Sequence, residues 1–81
     1  MNVYKVKYLP LNLYFTPSRH IKVGGNYKQC NLSEKGKTYT RYPGHFANSL
    51  IISYRGDKIK TKPSDWFIEE YMVVTEKIYT K

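Results

Sequence analysis

The stretch from Asn31 to Gly56, NLSEKGKTYTRYPGHFANSLIISYRG, constrains the chain most, because the residue pattern changes character inside it. It opens on a polar turn, Ser33-Glu34-Lys35-Gly36, and continues as a basic and aromatic run, Lys37 to Tyr42. Pro43-Gly44 breaks that run. Proline sits in a first helical turn without losing a hydrogen bond. From there Phe46, Leu50 and Tyr54 recur at i, i+4, with Ala47 and Ile51 in the adjacent row. That spacing predicts an amphipathic helix over about 44–55. Arg55 would suit the dipole of its last turn, and Gly56 would supply a left-handed stop.

Around that segment the chain reads as strands. Tyr4, Val6 and Tyr8 alternate with Lys5 and Lys7, which predicts a half-buried strand with a basic outer face. Pro10 ends it, and Leu13 to Thr16 reads as a second strand closing a hairpin. His20 to Cys30 fits two descriptions, a hairpin turned at Gly24-Gly25 or a mobile loop. Lys37 to Tyr42 alternates as a short strand, and Asp57 to Asp65 reads as a polar loop ended by Pro63. Trp66 to Tyr79 is a long strand candidate with apolar groups on both faces, the pattern of a central strand. Ile68, Met72, Val74 and Ile78 share one face; Phe67, Tyr71, Val73 and Tyr79 share the other. The expectation is a single α+β domain over residues 1–81: an antiparallel sheet of three to five strands with one helix packed on one face. Its core would be Tyr4, Val6, Tyr8, Phe46, Leu50, Ile51, Trp66, Ile68, Met72 and Val74.

A chain of 81 residues buries a low fraction of its surface, and here no disulfide can help, since Cys30 is the only cysteine. A lone thiol, the absence of an apolar run near the roughly 18 residues of a membrane span, and an opening MNVYKVKYLP without a signal-peptide core predict a cytoplasmic protein.

The net charge of +8 is unevenly placed. Residues 1–42 carry Lys5, Lys7, Arg19, Lys22, Lys28, Lys35, Lys37 and Arg41 against Glu34 alone, whereas residues 43–81 are nearly balanced. Such asymmetry points to an anionic partner for the N-terminal half, and equally suits plain solubility. Tyr4-Lys5-Val6-Lys7-Tyr8 and Lys37-Thr38-Tyr39-Thr40-Arg41-Tyr42 interleave cations with rings, as nucleic-acid surfaces do. The helix start at Gly44-His45-Phe46 would add free N–H groups for a phosphate. The expected contact residues are therefore Lys5, Lys7, Lys37, Tyr39, Arg41 and His45, with Arg19, Lys22, Lys28 and Lys35 as a secondary set.

The residues assemble no catalytic constellation. Gly36-Lys37-Thr38 resembles the end of a phosphate-binding loop, but Asn31 stands where that motif needs glycine. His20 and His45 lack carboxylate or cysteine neighbours at metal-ligand spacing, and Glu69 and Glu70 point to opposite faces of a strand. Cys30, Ser18, Ser33 and Ser49 have no activating partner in sequence. Asn31-Leu32-Ser33 matches a glycosylation sequon, which has no consequence without secretion. A non-enzymatic protein without cofactor is expected.

Three stretches carry a resemblance: Asn12-Leu13-Tyr14-Phe15, the run Leu32 to Thr40, and Pro63-Ser64-Asp65-Trp66-Phe67-Ile68-Glu69-Glu70-Tyr71. In this order the chain resembles a loose class of small uncharacterised proteins of tailed bacteriophages. The resemblance implies an accessory or early protein that binds nucleic acid or a host factor, and it transfers no active residue. The Gly24-Gly25 insert is longer than that class leads one to expect. Two other readings stay open: an inhibitor of a host enzyme or of an anti-phage defence complex such as CRISPR, and a homo-oligomer in which Lys37–Tyr42 pairs with its twin.

Overall fold

The computed structural model describes residues 1–73, and their regular structure is antiparallel β. Four strands form the main sheet: β1 (Asn2–Tyr8), β2 (Leu13–Phe15), β5 (Leu32–Ser33) and β8 (Trp66–Met72), in the order β5-β2-β1-β8. Two hairpins flank it, β3 (His20–Val23) with β4 (Asn26–Gln29), and β6 (Ile51–Tyr54) with β7 (Asp57–Lys60). β1 is the organising strand. β8 pairs with it along its whole length, from Asn2↔Met72 to Tyr8↔Trp66. On its other side β2 covers Lys7 and Tyr8, and Tyr39 forms a two-bond bridge with Tyr4, N–H to O 2.8 Å each way.

The expected helix over 44–55 is absent, so the α+β expectation is corrected to an all-β sheet with two short 3-10 turns, Gly44–Ala47 and Pro63–Asp65. Short isolated helices are marginal in water, so packing decides between competing patterns. Ile51-Ile52-Ser53-Tyr54 is also a good strand by its β-branched and aromatic residues. Arg55 (φ 54°) and Gly56 (φ 94°) then form a two-residue hairpin turn with both φ positive, the geometry that matches strand twist. Gly56 therefore turns a hairpin and does not stop a helix. Its return strand β7 occupies half of the predicted polar loop, with Ile59 opposite Ile52. The same turn geometry at Gly24 (φ 59°) and Gly25 (φ 88°) resolves the open alternative for 20–30 in favour of a hairpin.

Two other expectations change. Lys37–Tyr42 is not a strand; Tyr39 alone of its residues forms a β-bridge, with its N–H and C=O taken by Tyr4, and Lys37 N–H donates to Phe15 O at 2.9 Å. β8 lies at the edge of the sheet among the described residues and not at its centre. The predicted continuation to Tyr79, with Val74 in the core, lies outside the described residues.

The core sits on the inner face of the main sheet, where Val6, Tyr8, Leu32 and Trp66 are joined by Phe46 and Ile52. Phe46 projects from the 3-10 turn and wedges between rings, 4.9 Å from Phe15 and 4.8 Å from Trp66 between centroids. Ile51 and Met72, expected inside, are exposed, and Leu32 and Ile52 take their place. Ser33 and Gly36 close the turn after β5: Gly36 N–H donates to Ser33 Oγ at 2.8 Å. Gly36 has φ 71°, and a Cβ there would stand 2.2 Å from Tyr14 Cβ, so no side chain fits.

Two buried polar side chains join the layers. Asn31 Nδ2 donates to Thr16 O (3.2 Å), just after β2, and its Oδ1 accepts from Ser53 N–H (2.8 Å) of β6, stitching the two segments together. Its amide is thus committed inside the fold, which removes the sequon from the surface. Thr61 Oγ1 donates to Leu50 O (2.8 Å) and accepts from Trp66 Nε1–H (3.0 Å). Buried polar groups are tolerated only when paired in this way.

Candidate nucleic-acid interface

Alternation along β1 sends Val3, Lys5 and Lys7 to the sheet face opposite the core. Pairing then decides their neighbours. Lys7 lies opposite Tyr14 of β2 on one side and Phe67 of β8 on the other; Lys5 lies opposite Glu69, and Val3 opposite Tyr71. Directly opposed residues share a face. The outer face is therefore a patch of three aromatic rings, two lysines and one carboxylate, and none of these residues is buried. Phe67 is 53% exposed and Tyr71 42% exposed, so both rings offer surface to a ligand.

The patch is ordered by its carboxylate. Glu69 accepts from Tyr14 Oη–H at 2.6 Å, accepts from Tyr71 Oη–H, and pairs with Lys7 Nζ at 3.2 Å. The Tyr14 hydrogen bond, then that of Tyr71, with help from Lys7, hold the Glu69 carboxyl down to about 2. The same hydrogen bonds push the Tyr14 and Tyr71 phenols up, since each donates to an anion. Lys5 and Lys7 stand over the Tyr14 ring, their Nζ atoms 5.4 and 5.3 Å from its centroid. Such contacts hold the ammonium groups along the ring. Lys7 is neutralised by Glu69, while Lys5 keeps a free charge beside exposed rings.

The six expected contact residues do not form one face. Lys5 and Lys7 belong to the outer patch. Tyr39 lies opposite Tyr4 and so faces the core side, half-buried, with burial pushing its phenol up. Lys37 Nζ stands 5.2 Å from the Tyr39 ring centroid, and the His45 ring is 6.5 Å from it on the far side of the Pro43 break. These three make a separate cluster at the rim. Arg41 is exposed between Tyr39 and Tyr42. The helix N-terminus expected at 44–46 is a four-residue 3-10 turn, with Phe46 N–H directed at Pro43 O at 3.5 Å and Asn48 N–H bonded to His45 O, so it offers no helical anion site.

The secondary set also divides. Arg19 and Lys35 line a groove beside β5. Lys28 lies along Gly56, and Lys22 sits on the exposed β3–β4 hairpin. The cations of the N-terminal half are thus spread over several places. Tyr14, Phe67 and Tyr71 were missing from the expected set, although the alternation of 66–79 already placed Phe67 and Tyr71 on one side. Only the strand order brings them to Lys5 and Lys7.

Among the described residues no group of three metal-ligating side chains gathers, and no helix is long and apolar enough to cross a membrane. Comparison with protein-family models, curated proteins and solved structures finds no match to this chain.

Proposed function

We propose that this chain is a non-enzymatic protein that binds single-stranded nucleic acid across the outer face of its main sheet. The observation that carries the reading is the coincidence of exposed Phe67 and Tyr71 with Lys5, Lys7 and Tyr14 on one face. Exposed rings on a sheet stack on unpaired bases regardless of sequence, and cations between them meet the backbone phosphates. A duplex hides its base faces and gains nothing from the rings. A role as an accessory protein of a bacteriophage in its host's cytoplasm fits this activity, with Cys30 buried.

Fluorescence anisotropy with a labelled single strand and the duplex of the same sequence tests it. The single strand binds more tightly, and its affinity falls with salt. Lys5→Gln reduces the slope of log K against log salt by about 0.7, the value for one phosphate contact on a single strand. Equal binding of single strand and duplex contradicts the reading. So does capture of a discrete protein that survives nuclease while neither nucleic acid binds; that outcome favours the host-inhibitor alternative.

A further inference from the structure

A groove of about 410 Å³ opens beside β5, on the side of the sheet away from the lysine–tyrosine patch. Polar atoms make up most of its exposed lining, and the half-buried Leu13, Ile21 and Tyr54 side chains give it a smaller apolar part. Its rim carries Arg19, Lys35 and Arg55 against the single acid Glu34. None of these three cations has an ion-pair partner among the described residues, where the one salt bridge is Lys7–Glu69. Arg19 is positioned by donating Nη1–H to Leu32 O at 3.3 Å, which leaves its other donors free. Arg55 is held at φ 54° in the first position of the β6–β7 turn, where asparagine, aspartate or glycine is the comfortable residue. Ser18, next to Arg19, has φ 53°.

We propose that this groove binds a nucleoside monophosphate. Arginine forks match phosphate oxygens in bidentate fashion, and Lys35 adds a third charge. The Tyr54 ring, with Leu13 and Ile21, accommodates the base and sugar, and the groove volume falls within the range of small-ligand sites. The proposal goes beyond the sheet-face reading and uses none of its residues.

Isothermal titration with adenosine 5′-monophosphate, adenosine and inorganic phosphate tests it. The monophosphate binds, more tightly than phosphate alone, and adenosine does not bind. Arg55→Asn weakens the monophosphate about tenfold or more, as loss of a charged hydrogen bond does. The same variant keeps or raises the melting temperature, because asparagine tolerates the positive φ. Glu34→Gln acts in the opposite sense and tightens binding. No binding of the monophosphate, equal binding of adenosine or of phosphate, or wild-type affinity in Arg55→Asn overturns the proposal. Phe67→Ala leaves this titration unchanged while weakening oligonucleotide binding, so the two sites fail separately.

Discussion

The two faces of the main sheet are made by the same strands and do opposite things. On the inner face Val6 of β1 and Ile68 of β8 turn toward a dry cluster of rings, Tyr8, Trp66 and Phe46, sealed by the β6–β7 hairpin, whereas Asn2, Glu70 and Met72 at the far end of the same face are exposed. On the outer face the intervening residues, Lys5, Lys7, Phe67, Glu69 and Tyr71, stay at the surface, and the Glu69 carboxylate ties Lys7, Tyr71 and Tyr14 together. Strand period alone separates the faces. What differs is the material: the inner face gains stability from burial, whereas the outer face keeps large rings wet, which contributes little to folding and leaves them for a partner. The contrast assigns stability to the inner face, and recognition by the outer face is the proposal that the following experiments test.

The largest effect that would break this division is on the inner face. Phe46→Ala empties the space between Phe15 and Trp66 and costs about 3–5 kcal/mol, enough to unfold a domain this small under mild denaturant. Urea unfolding followed by circular dichroism checks it. Next comes Thr61→Val, which keeps the shape but strips Trp66 Nε1–H of its acceptor; an unsatisfied buried donor costs about 1–3 kcal/mol. Tryptophan fluorescence during denaturation reads that loss.

The outer face responds to pH. The Glu69 carboxyl is held at about 2, below its ordinary 4.5, so its contribution to stability is complete above about pH 4.5 and is lost as pH falls toward 2. Glu69→Gln removes that part of the acid dependence, visible as a flatter plot of urea midpoint against pH in this window. It also removes the one negative charge from the patch, so oligonucleotide binding tightens. The smallest stability effect belongs to Phe67→Ala, within about 0.5 kcal/mol of wild type, as for an exposed side chain.

Much of the inner face was legible from residue order. Val6, Tyr8, Trp66 and Phe46 announce themselves by period and size. Phe46 reaches the core as expected, but from a 3-10 turn. The helix was misread because Phe46, Leu50 and Tyr54 satisfy a helical spacing while Ile51 to Tyr54 satisfy a strand, and local pattern cannot rank the two. The deciding element was Arg55-Gly56, whose positive φ values suit a hairpin turn as well as a helix stop. Tertiary partners then chose: Asn31 reaches across to Ser53, and Ile59 returns to cover Ile52. The outer patch was half legible. Lys5 and Lys7 follow from alternation in β1, and Tyr14 joins them through the local β1–β2 hairpin at Lys7↔Tyr14, but Phe67 and Tyr71 join only through pairing between strands more than 50 residues apart, at Lys7↔Phe67 and Val3↔Tyr71. No periodicity within either strand contains that register. Charge asymmetry was the weakest guide, because cations close in sequence, such as Lys35 and Lys37, end in different places.

The most direct test compares wild type with Phe67→Ala for single-stranded oligonucleotide binding at a fixed, low salt concentration, with both proteins shown to be equally folded. The account predicts that the wild type binds and that removing the ring costs about 1–3 kcal/mol of affinity, the loss expected for one stacked base. Unchanged affinity in Phe67→Ala would mean that the exposed rings of the outer face take no part in recognition.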